Sequence, residues 1–551
     1  MPVLTFIDAI GIQSFVFLSN KLRDAVAGSE MISEVLGNSS RNSTLGVIAN
    51  GLGGETIMAA GGNALVRFDD MASAREFAAR CSRALLEKAP GLDVVISHCG
   101  YNSGDLAKAI RDVHRGIQKA KFERVPSACL PALSVIAECS KTRLPATAVI
   151  RQPGDEPPVP LSDPIASRRL VLKQSSDTVC PGFTEGGGPG VDLCYPLDID
   201  NMGRTRADTS LLGVVHVDGN KVGSRLADWL KEQSKNGAPD EQVEDGYKKV
   251  SQAIDEMAHG CLAHIRERII GAVRWQSSSS SEDAPTGNQG NNAGDYVLYS
   301  VPLNRGFALK RVREKDRDIV YLPIRPIIVG GDDITFVCDG RIALDLAETA
   351  LRYFMQAKIC GLGQVTASTG VAIGKSHTPF ARLYDTAAAL CKSAKRYLHK
   401  ENINDSCMDW HIGTAGVTDV EAQRERSYTT PDRKYHLTCR PYPLGSSPDE
   451  PETWTWLNET ILGIKQADNN RGHGLLKDSW QRHRTKINSL RSALVYGPDS
   501  VERAIESWSI LAEVPLLPGG DVLAKCGYLG RRTPFLDAIE LMDIHFPLGK
   551  G

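Results

Sequence analysis

Pro326-Ile-Ile-Val-Gly-Gly-Asp-Asp-Ile-Thr-Phe-Val337 decides the reading of this chain. Apolar, largely β-branched residues flank a Gly-Gly pair and two successive carboxylates, the pattern of two short strands joined by a tight turn. The same pattern stands earlier as Thr56-Ile-Met-Ala-Ala-Gly-Gly-Asn-Ala-Leu-Val-Arg-Phe68. Working outward from the two hairpins gives matched elements. Upstream, apolar runs over 2–7 and 213–217 end in Asp8 and Asp218, and each leads into helix-like sequence, 13–36 in one case and 222–229 in the other. Downstream come a helix (72–88; 342–358), a strand (93–99; 364–373) and a second helix (105–122; 380–400). The last is periodic, with Phe380, Leu383, Tyr384, Ala387, Leu390, Ala394, Tyr397 and Leu398 on one stripe.

The chain is therefore an internal repeat. From Gly61 to the strand at Asp93 is 32 residues and from Gly330 to the strand at Gln364 is 34, whereas Asp8 to Gly61 is 53 and Asp218 to Gly330 is 112. The second copy thus carries an insertion, and its Ser-rich and polar part, about 275–295, reads as a mobile loop. Strand–helix–strand–strand–helix–strand is the ferredoxin-like arrangement, a sheet covered by helices on one face. The fold class expected is α+β. Its parts are a first ferredoxin-like βαββαβ domain over 1–128, a Pro/Gly-rich connecting subdomain over 129–210, a second domain with the Gly-Gly-Asp-Asp hairpin over 211–410, and a mainly helical domain over 411–551.

Composition bounds the function. Sixty-four Lys+Arg against 66 Asp+Glu leave a net charge of −2, and with 42% hydrophobic and 24% charged residues the 551-residue chain is neither disordered nor a basic nucleic-acid binder throughout its length. No stretch is long and apolar enough for a membrane span, and the start lacks the features of a secretory signal, so a cytoplasmic protein without membrane association is expected. The 13 cysteines include no Cys-x-x-Cys pair, which suits reduced thiols.

The chemistry concentrates at the second hairpin. Gly330 and Gly331 give the turn its conformational freedom and let a ligand approach, while Asp332 and Asp333, with Asp218 arriving from the neighbouring strand, can converge on hard divalent ions. A pair of Mg²⁺ or Mn²⁺ ions so held would activate a hydroxyl and steady a leaving phosphate. Gly219, Asn220, Lys221, Val222 and Gly223 follow a strand and open a helix, where backbone N–H groups can bind a triphosphate. Lys392 and Lys395 on the later helix can neutralise its outer phosphates.

Asp218-Gly-Asn, Gly-Gly-Asp-Asp333, Ser368-Thr-Gly-Val-Ala-Ile-Gly374, Pro379-Phe380 and Ser393-Ala-Lys395 resemble the second palm domain of the large polymerase-like subunit of type III CRISPR effector complexes. Phe6-Ile-Asp-Ala-Ile-Gly-Ile-Gln-Ser-Phe15 and Lys21-Leu-Arg-Asp-Ala-Val-Ala-Gly-Ser29 are similar to the opening of that family's first palm, and Leu536-Asp-Ala-Ile-Glu540 resembles part of its C-terminal helical segment. The palm motifs are also related to those of nucleotidyl cyclases and diguanylate synthases. The resemblance implies a nucleotidyltransferase that joins nucleoside triphosphates, ATP foremost, into a cyclic oligonucleotide, with Asp218, Asp332 and Asp333 as catalytic and metal-holding residues. It also brings in Ser368 and, in the first palm, Asp8, Ser14 and Asn63 facing a shared cleft around a second nucleotide. A structural pseudo-copy is the other reading of that first palm. The implied partners are CRISPR effector subunits and guide or target RNA, and the alternative function is a catalytically silent scaffold or RNA-binding subunit.

The departures are informative. The family's His-Asp nuclease domain is not expected, since the sequence starts at the palm-like strand and has no adjacent His-Asp pair. Gly61-Gly62-Asn63 lacks the paired carboxylates. Cys139, Cys180 and Cys194 fall where some relatives hold zinc, yet their number and spacing do not make a closed four-cysteine site, so structural zinc is not expected there. His216 is read as pointing to the opposite strand face from Asp218, as a packed residue. Thr369-Gly-Val-Ala-Ile-Gly-Lys-Ser376 ends like a phosphate-binding loop but lacks its leading glycine and reads as a strand.

Overall fold

β1 (Val3–Ile10) is buried on both sides, which is what a central strand between two helical layers requires. After it come α1 (Ile12–Val16), α2 (Leu22–Leu36), α3 (Thr44–Gly51), β2 (Glu55–Ala60), β3 (Asn63–Phe68), α4 (Met71–Lys88), β4 (Asp93–Gly100) and α5 (Leu106–Glu123). The strands lie in the order β2-β3-β1-β4, with β1 antiparallel to both neighbours. Val3, Ile7, Ala64, Val66 and Phe68 face α2, α3 and α4, while Leu4, Phe6 and Leu65 face α5 through Leu106, Ile110, Val113 and Ile117. α4 starts where Asp70 accepts the N–H groups of Ala72 and Ser73 at 2.7 and 3.0 Å. The chain is described here by a computed structural model, which covers all residues except 38–42, 125–132, 151–157, 172–177, 203–210, 278–293, 315–316, 414–418, 465–473, 477–479, 481, 512–513 and 550–551.

The helix expected over 13–36 is two helices. Arg168, fully buried, donates to the carbonyls of Phe15, Val16 and Asp24, so the end of α1 bonds a guanidinium instead of a further turn. Gly28 leaves room for that group, since a Cβ there would stand 3.2 Å from Arg168 Cζ. Arg168 comes from α6 (Asp163–Val171), which follows the small hairpin of β5 (Ala148–Ile150) and β6 (Val159–Leu161). β7 (Thr178–Phe183) and β8 (Val191–Cys194) complete this segment. Cys139, Cys180 and Cys194 form no disulfide.

β9 (Leu211–Gly219) opens the second repeat and leads to α7 (Val222–Lys235) and the 32-residue α8 (Asp240–Gly271). The insertion contributes β10 (Val273–Ser277), β11 (Gly294–Ser300) and β12 (Arg305–Ala308) as one small sheet. It also supplies β13 (Arg311–Glu314) and β14 (Arg317–Tyr321), which join β8 and β7. Most of the stretch read as a mobile loop, 278–293, lies outside the described residues. β15 (Ile324–Gly330), β16 (Asp333–Asp339), α9 (Ala343–Gln356), the short pair β17 (Lys358–Ile359) and β18 (Gly363–Gln364), β19 (Ala367–Lys375) and α10 (Phe380–Lys400) follow.

After α10 come β20 (Cys407–Ile412), α11 (Val420–Ser427) and β21 (Tyr442–Pro443), giving a six-stranded sheet ordered β15-β16-β9-β19-β20-β21. β20, parallel to β19, and β21 are additions to the four-stranded ferredoxin-like core. Helices do not keep to one face. Val215, Val217, Ile334 and Phe336 pack on the side of α8 and α9, while Val214 and Val337 join α10 in the core shared with the first repeat. Gly370 permits the close approach of α10, because a Cβ there would lie 1.9 Å from the Ala387 carbonyl oxygen.

Beyond β21, helices at Arg484–Leu494, Pro498–Leu511, Asp521–Cys526 and Phe535–Met542 share one core with the second repeat. A buried charge network joins them to the sheet: Arg440 Nε lies 2.9 Å from Asp537 Oδ1 and Arg440 Nη2 lies 3.2 Å from Glu540 Oε2. Thr438 and Tyr442 also donate to Asp537. Among the described residues, no helix is long and apolar enough to cross a membrane.

Candidate functional site

Three strand ends meet at the top of the second sheet. β9 places Asp218 directly across from Asp333 on β16 and from Ser368 on β19. Asp332 occupies the turn between β15 and β16, so the carboxylates of Asp218, Asp332 and Asp333 gather with an oxygen of each within 4.8 Å of the others. The turn needs its glycines. Gly331 has φ +63°, and a Cβ on Gly330 would stand 2.7 Å from Gly61 Cα, so the tips of the two repeats' hairpins touch backbone to backbone. Gly219 is equally constrained, since a Cβ there would meet Asp332 Cβ at 2.9 Å.

Among the described residues, Lys395 is the cation paired with this cluster. Lys395 of α10 lies with Nζ 2.5 Å from Asp218 Oδ2 and 3.0 Å from the Gly219 carbonyl oxygen. It does not balance three carboxylates. Burial, then Asp218 and Asp332, push the Asp333 carboxyl up to about 8. Burial and Asp218 raise Asp332 as well. A crowded, oxygen-only donor set with surplus negative charge fits a hard divalent cation such as Mg²⁺ or Mn²⁺.

The sequence-derived binding residues divide. Asn220 and Ser368 are tied to each other and to the strand: Ser368 Oγ donates to Asn220 Oδ1 at 2.9 Å, and Asn220 bonds Thr366 through both its amide side chain (3.0 Å) and its backbone N–H (2.7 Å). They hold the loop in shape. Val222 is a buried core residue, whereas Lys221, with φ +60°, and Gly223 are exposed at the start of α7. Lys392 is exposed on α10, one turn before Lys395.

In the first repeat, Asn63 stands in the register place of Asp333, directly across from Asp8. Asp8 is ion-paired with Lys121 of α5, and Ser14 is exposed on α1. The two repeats enclose a cavity of about 270 Å³. Gln13, Ser29 and Ser33 line one wall of it, and Asp333, Thr335 and Tyr384 the other. Asp8, Ser14 and Asn63 are not among its lining residues.

Lys121 is absent from the sequence-derived set, although a signal for it exists. It is the sixteenth residue of α5, as Lys395 is the sixteenth of α10, and an alanine precedes each. His216 requires a correction. Side chains on a strand alternate, so residues two apart share a face, and His216 lies on the face of Asp218. Its Nδ1 is 3.0 Å from Thr335 Oγ1, its ring packs edge-on to Tyr384 at 5.5 Å, and burial lowers it to about 4.

Residues 211–404 match the family model described as Cas10/Cmr2, second palm domain. No curated protein matches the chain. Among solved structures, the chain is similar to the Csm1–Csm4 cassette in complex with cA4, at 16% identity over 98% of this chain and 69% of that one, with a TM-score of 0.51. The cassette in complex with one ATP is matched at 14% identity over 100% and 70%, TM-score 0.52. Csm1 in T. onnurineus is matched at 17% identity over 99% and 70%, TM-score 0.52. At these identities the likeness establishes a shared fold, an α+β architecture with palm domains and added helices. The second repeat thus matches a Cas10/Cmr2-type palm, and the resemblance to the large palm subunit of type III CRISPR complexes stands.

Proposed function

We propose that this chain is a metal-dependent nucleotidyltransferase that joins nucleoside triphosphates, ATP foremost, into a cyclic oligonucleotide, as the large palm subunit of a CRISPR-type antiviral effector. The observation that carries the reading is the convergence of Asp218, Asp332 and Asp333 beside Lys395 in a Cas10/Cmr2-type palm. The related cassette crystallised with cA4 and with ATP supports the substrate and product class.

Asp218, Asp332 and Asp333 would hold Mg²⁺ or Mn²⁺, which supplies, when bound, the positive charge that activates a 3′-hydroxyl and stabilises the α-phosphate under attack. The chain's own contribution is placement and charge. The N–H groups of Gly219 and Asn220 are committed to the carbonyls of Asp332 and Thr366, which leaves those of Lys221, Val222 and Gly223, at the start of α7, to face a triphosphate. Lys395 fixes Asp218 and offers an ammonium beside the phosphates, with Lys392 one turn away. Gly330, Gly331 and Gly61 keep the mouth narrow by backbone contact alone. In the first palm, Asp8 and Lys121 mirror Asp218 and Lys395, but Asn63 replaces a carboxylate. That set binds a second nucleotide without assembling the same metal centre.

A Csm4-like subunit and guide or target RNA are the partners this reading calls for. The test is incubation of the purified chain, alone and with partner subunit and target RNA, with NTPs and Mg²⁺ or Mn²⁺, followed by mass spectrometry of products. A cyclic product and pyrophosphate are expected, and both vanish in an Asp332→Ala/Asp333→Ala variant. Product from that variant overturns the site, and no product under any condition favours the silent scaffold.

A further inference from the structure

A second group of ligating atoms shares Asp218 with the carboxylate trio and adds two side chains that the proposed chemistry does not use. A ring nitrogen of His216, a carboxylate oxygen of Asp218 and the Sγ of Cys391 lie within 4.8 Å of one another. They come from β9 and from the middle of α10. Their meeting depends on one glycine: Gly370 is the cross-strand partner of His216, and with no side chain it lets α10 descend until a Cβ at that position would be 2.5 Å from the Cys391 amide nitrogen.

We propose that His216, Asp218 and Cys391 form a metal site for a thiophilic divalent ion such as Zn²⁺, and that an ion bound there takes Asp218 away from the Mg²⁺ set. Nitrogen, oxygen and sulfur donors together suit Zn²⁺, whereas Mg²⁺ takes oxygen donors in an octahedral shell and has no use for a thiol. Bonds of about 2.0–2.3 Å place tetrahedral ligand atoms about 3.3–3.8 Å apart, so the three atoms need to close by no more than about 1.5 Å. With its proton on Nδ1, His216 donates to Thr335 Oγ1 at 3.0 Å, the outer partner that metal-bound histidines commonly have, and Nε2 is left for the ion. Cys391 Sγ at present bonds the Ser368 carbonyl oxygen at 3.2 Å, a weak contact that an ion would replace. Entry is through the cavity between the palms, where His216 forms part of the wall. The site is separate from the connector cysteines Cys139, Cys180 and Cys194. Its inhibitory consequence rests on the function proposed above, while its existence does not.

Co²⁺ provides the probe, because a thiolate ligand gives it a charge-transfer band in the near ultraviolet. Titration of the full chain with Co²⁺ should produce that band in the wild type and in Cys360→Ser, an exposed-thiol control, but not in Cys391→Ser or Cys391→Ala. Zn²⁺ competition against a chelating dye should show affinity weakened by at least about 10–100-fold in the Cys391 variants. Cys391→Ala keeps the core apolar, and its unfolding midpoint checks that the fold persists. A band that is missing, or unchanged on loss of Cys391, overturns the site. In product assays at saturating Mg²⁺, Zn²⁺ should inhibit the wild type at concentrations that spare Cys391→Ala, and equal inhibition of both overturns the competition. A preparation that makes no product but shows the Cys391-dependent band keeps this site and removes the proposed function instead.

Discussion

Replacing Asp333 with Asn should stabilise the metal-free protein while abolishing product. The folded chain holds a proton on Asp333 up to about pH 8, because burial and the carboxylates of Asp218 and Asp332 oppose its ionisation. The unfolded chain releases the same proton near the ordinary carboxylate value of about 4. Between those limits the folded state binds more protons than the unfolded one. The stability due to this group is therefore complete below about pH 4 and is lost as pH rises toward 8. One proton corresponds to about 1.4 kcal/mol per pH unit, hence about 3 kcal/mol between pH 5 and pH 7. For a cooperative unit the size of the second palm that is a fall of roughly 6–12 °C in Tm. The assay is thermal unfolding in EDTA from pH 5 to pH 8, on wild type and Asp333→Asn. The wild type should lose stability with rising pH and the variant should lose much less. Added Mg²⁺ should restore the wild type most strongly at the alkaline end, where the trio is ionised, and should help the variant little. Parallel pH curves for the two proteins would refute the electrostatic account of the trio.

Other expectations follow from single contacts. Lys395→Met should reduce pyrophosphate release about 10–100-fold by removing the ammonium that fixes Asp218 and meets the phosphates, measured at saturating Mg²⁺. Gly330→Ala should lower both Tm and activity, since its Cβ would press on the Gly61 backbone at 2.7 Å. Gly223→Ala meets nothing within 4 Å, so stability should hold or rise by about 0.5–1 kcal/mol as for any helical glycine, while triphosphate binding falls if that backbone is the cradle. Lys121→Ala should lower the number of ATP molecules bound per chain in calorimetry from two to one if the first palm holds a nucleotide. Asp537→Ala should cost about 3–5 kcal/mol in chemical denaturation, because it strips the fully buried Arg440 of its nearest carboxylate.

Local sequence signals determine what depends on neighbours along the chain. Alternating apolar strands, the Gly-Gly turn and the stripe of α10 are short-range patterns, and they sufficed to find the repeat, the ferredoxin-like order and the aspartates at the strand ends. The face assignment of His216 was legible by the same alternation, because residues two apart on a strand share a face. Two extra strands are not marked in the sequence because they lie outside the repeat: β20 follows its last helix and pairs with the edge offered by β19, and the two-residue β21 pairs with β20. The break between α1 and α2 was invisible for a similar reason: the group that ends α1 is Arg168, more than 150 residues away.

Within the candidate site the division is the same. Sequence alone supplied Asp218, Asp332, Asp333 and Lys395, since motif spacing carries them. Tertiary structure decided that Asn220 and Ser368 satisfy each other, that Gly61 and Gly330 touch, that Lys121 pairs with Asp8, and that His216 and Cys391 gather around Asp218, a member of the carboxylate trio. Each of these is a contact between segments brought together by the docking of one sheet on another or of a helix on a sheet. Hydrophobic periodicity shows that such surfaces must be buried, but it does not specify which pairs of side chains will meet across them.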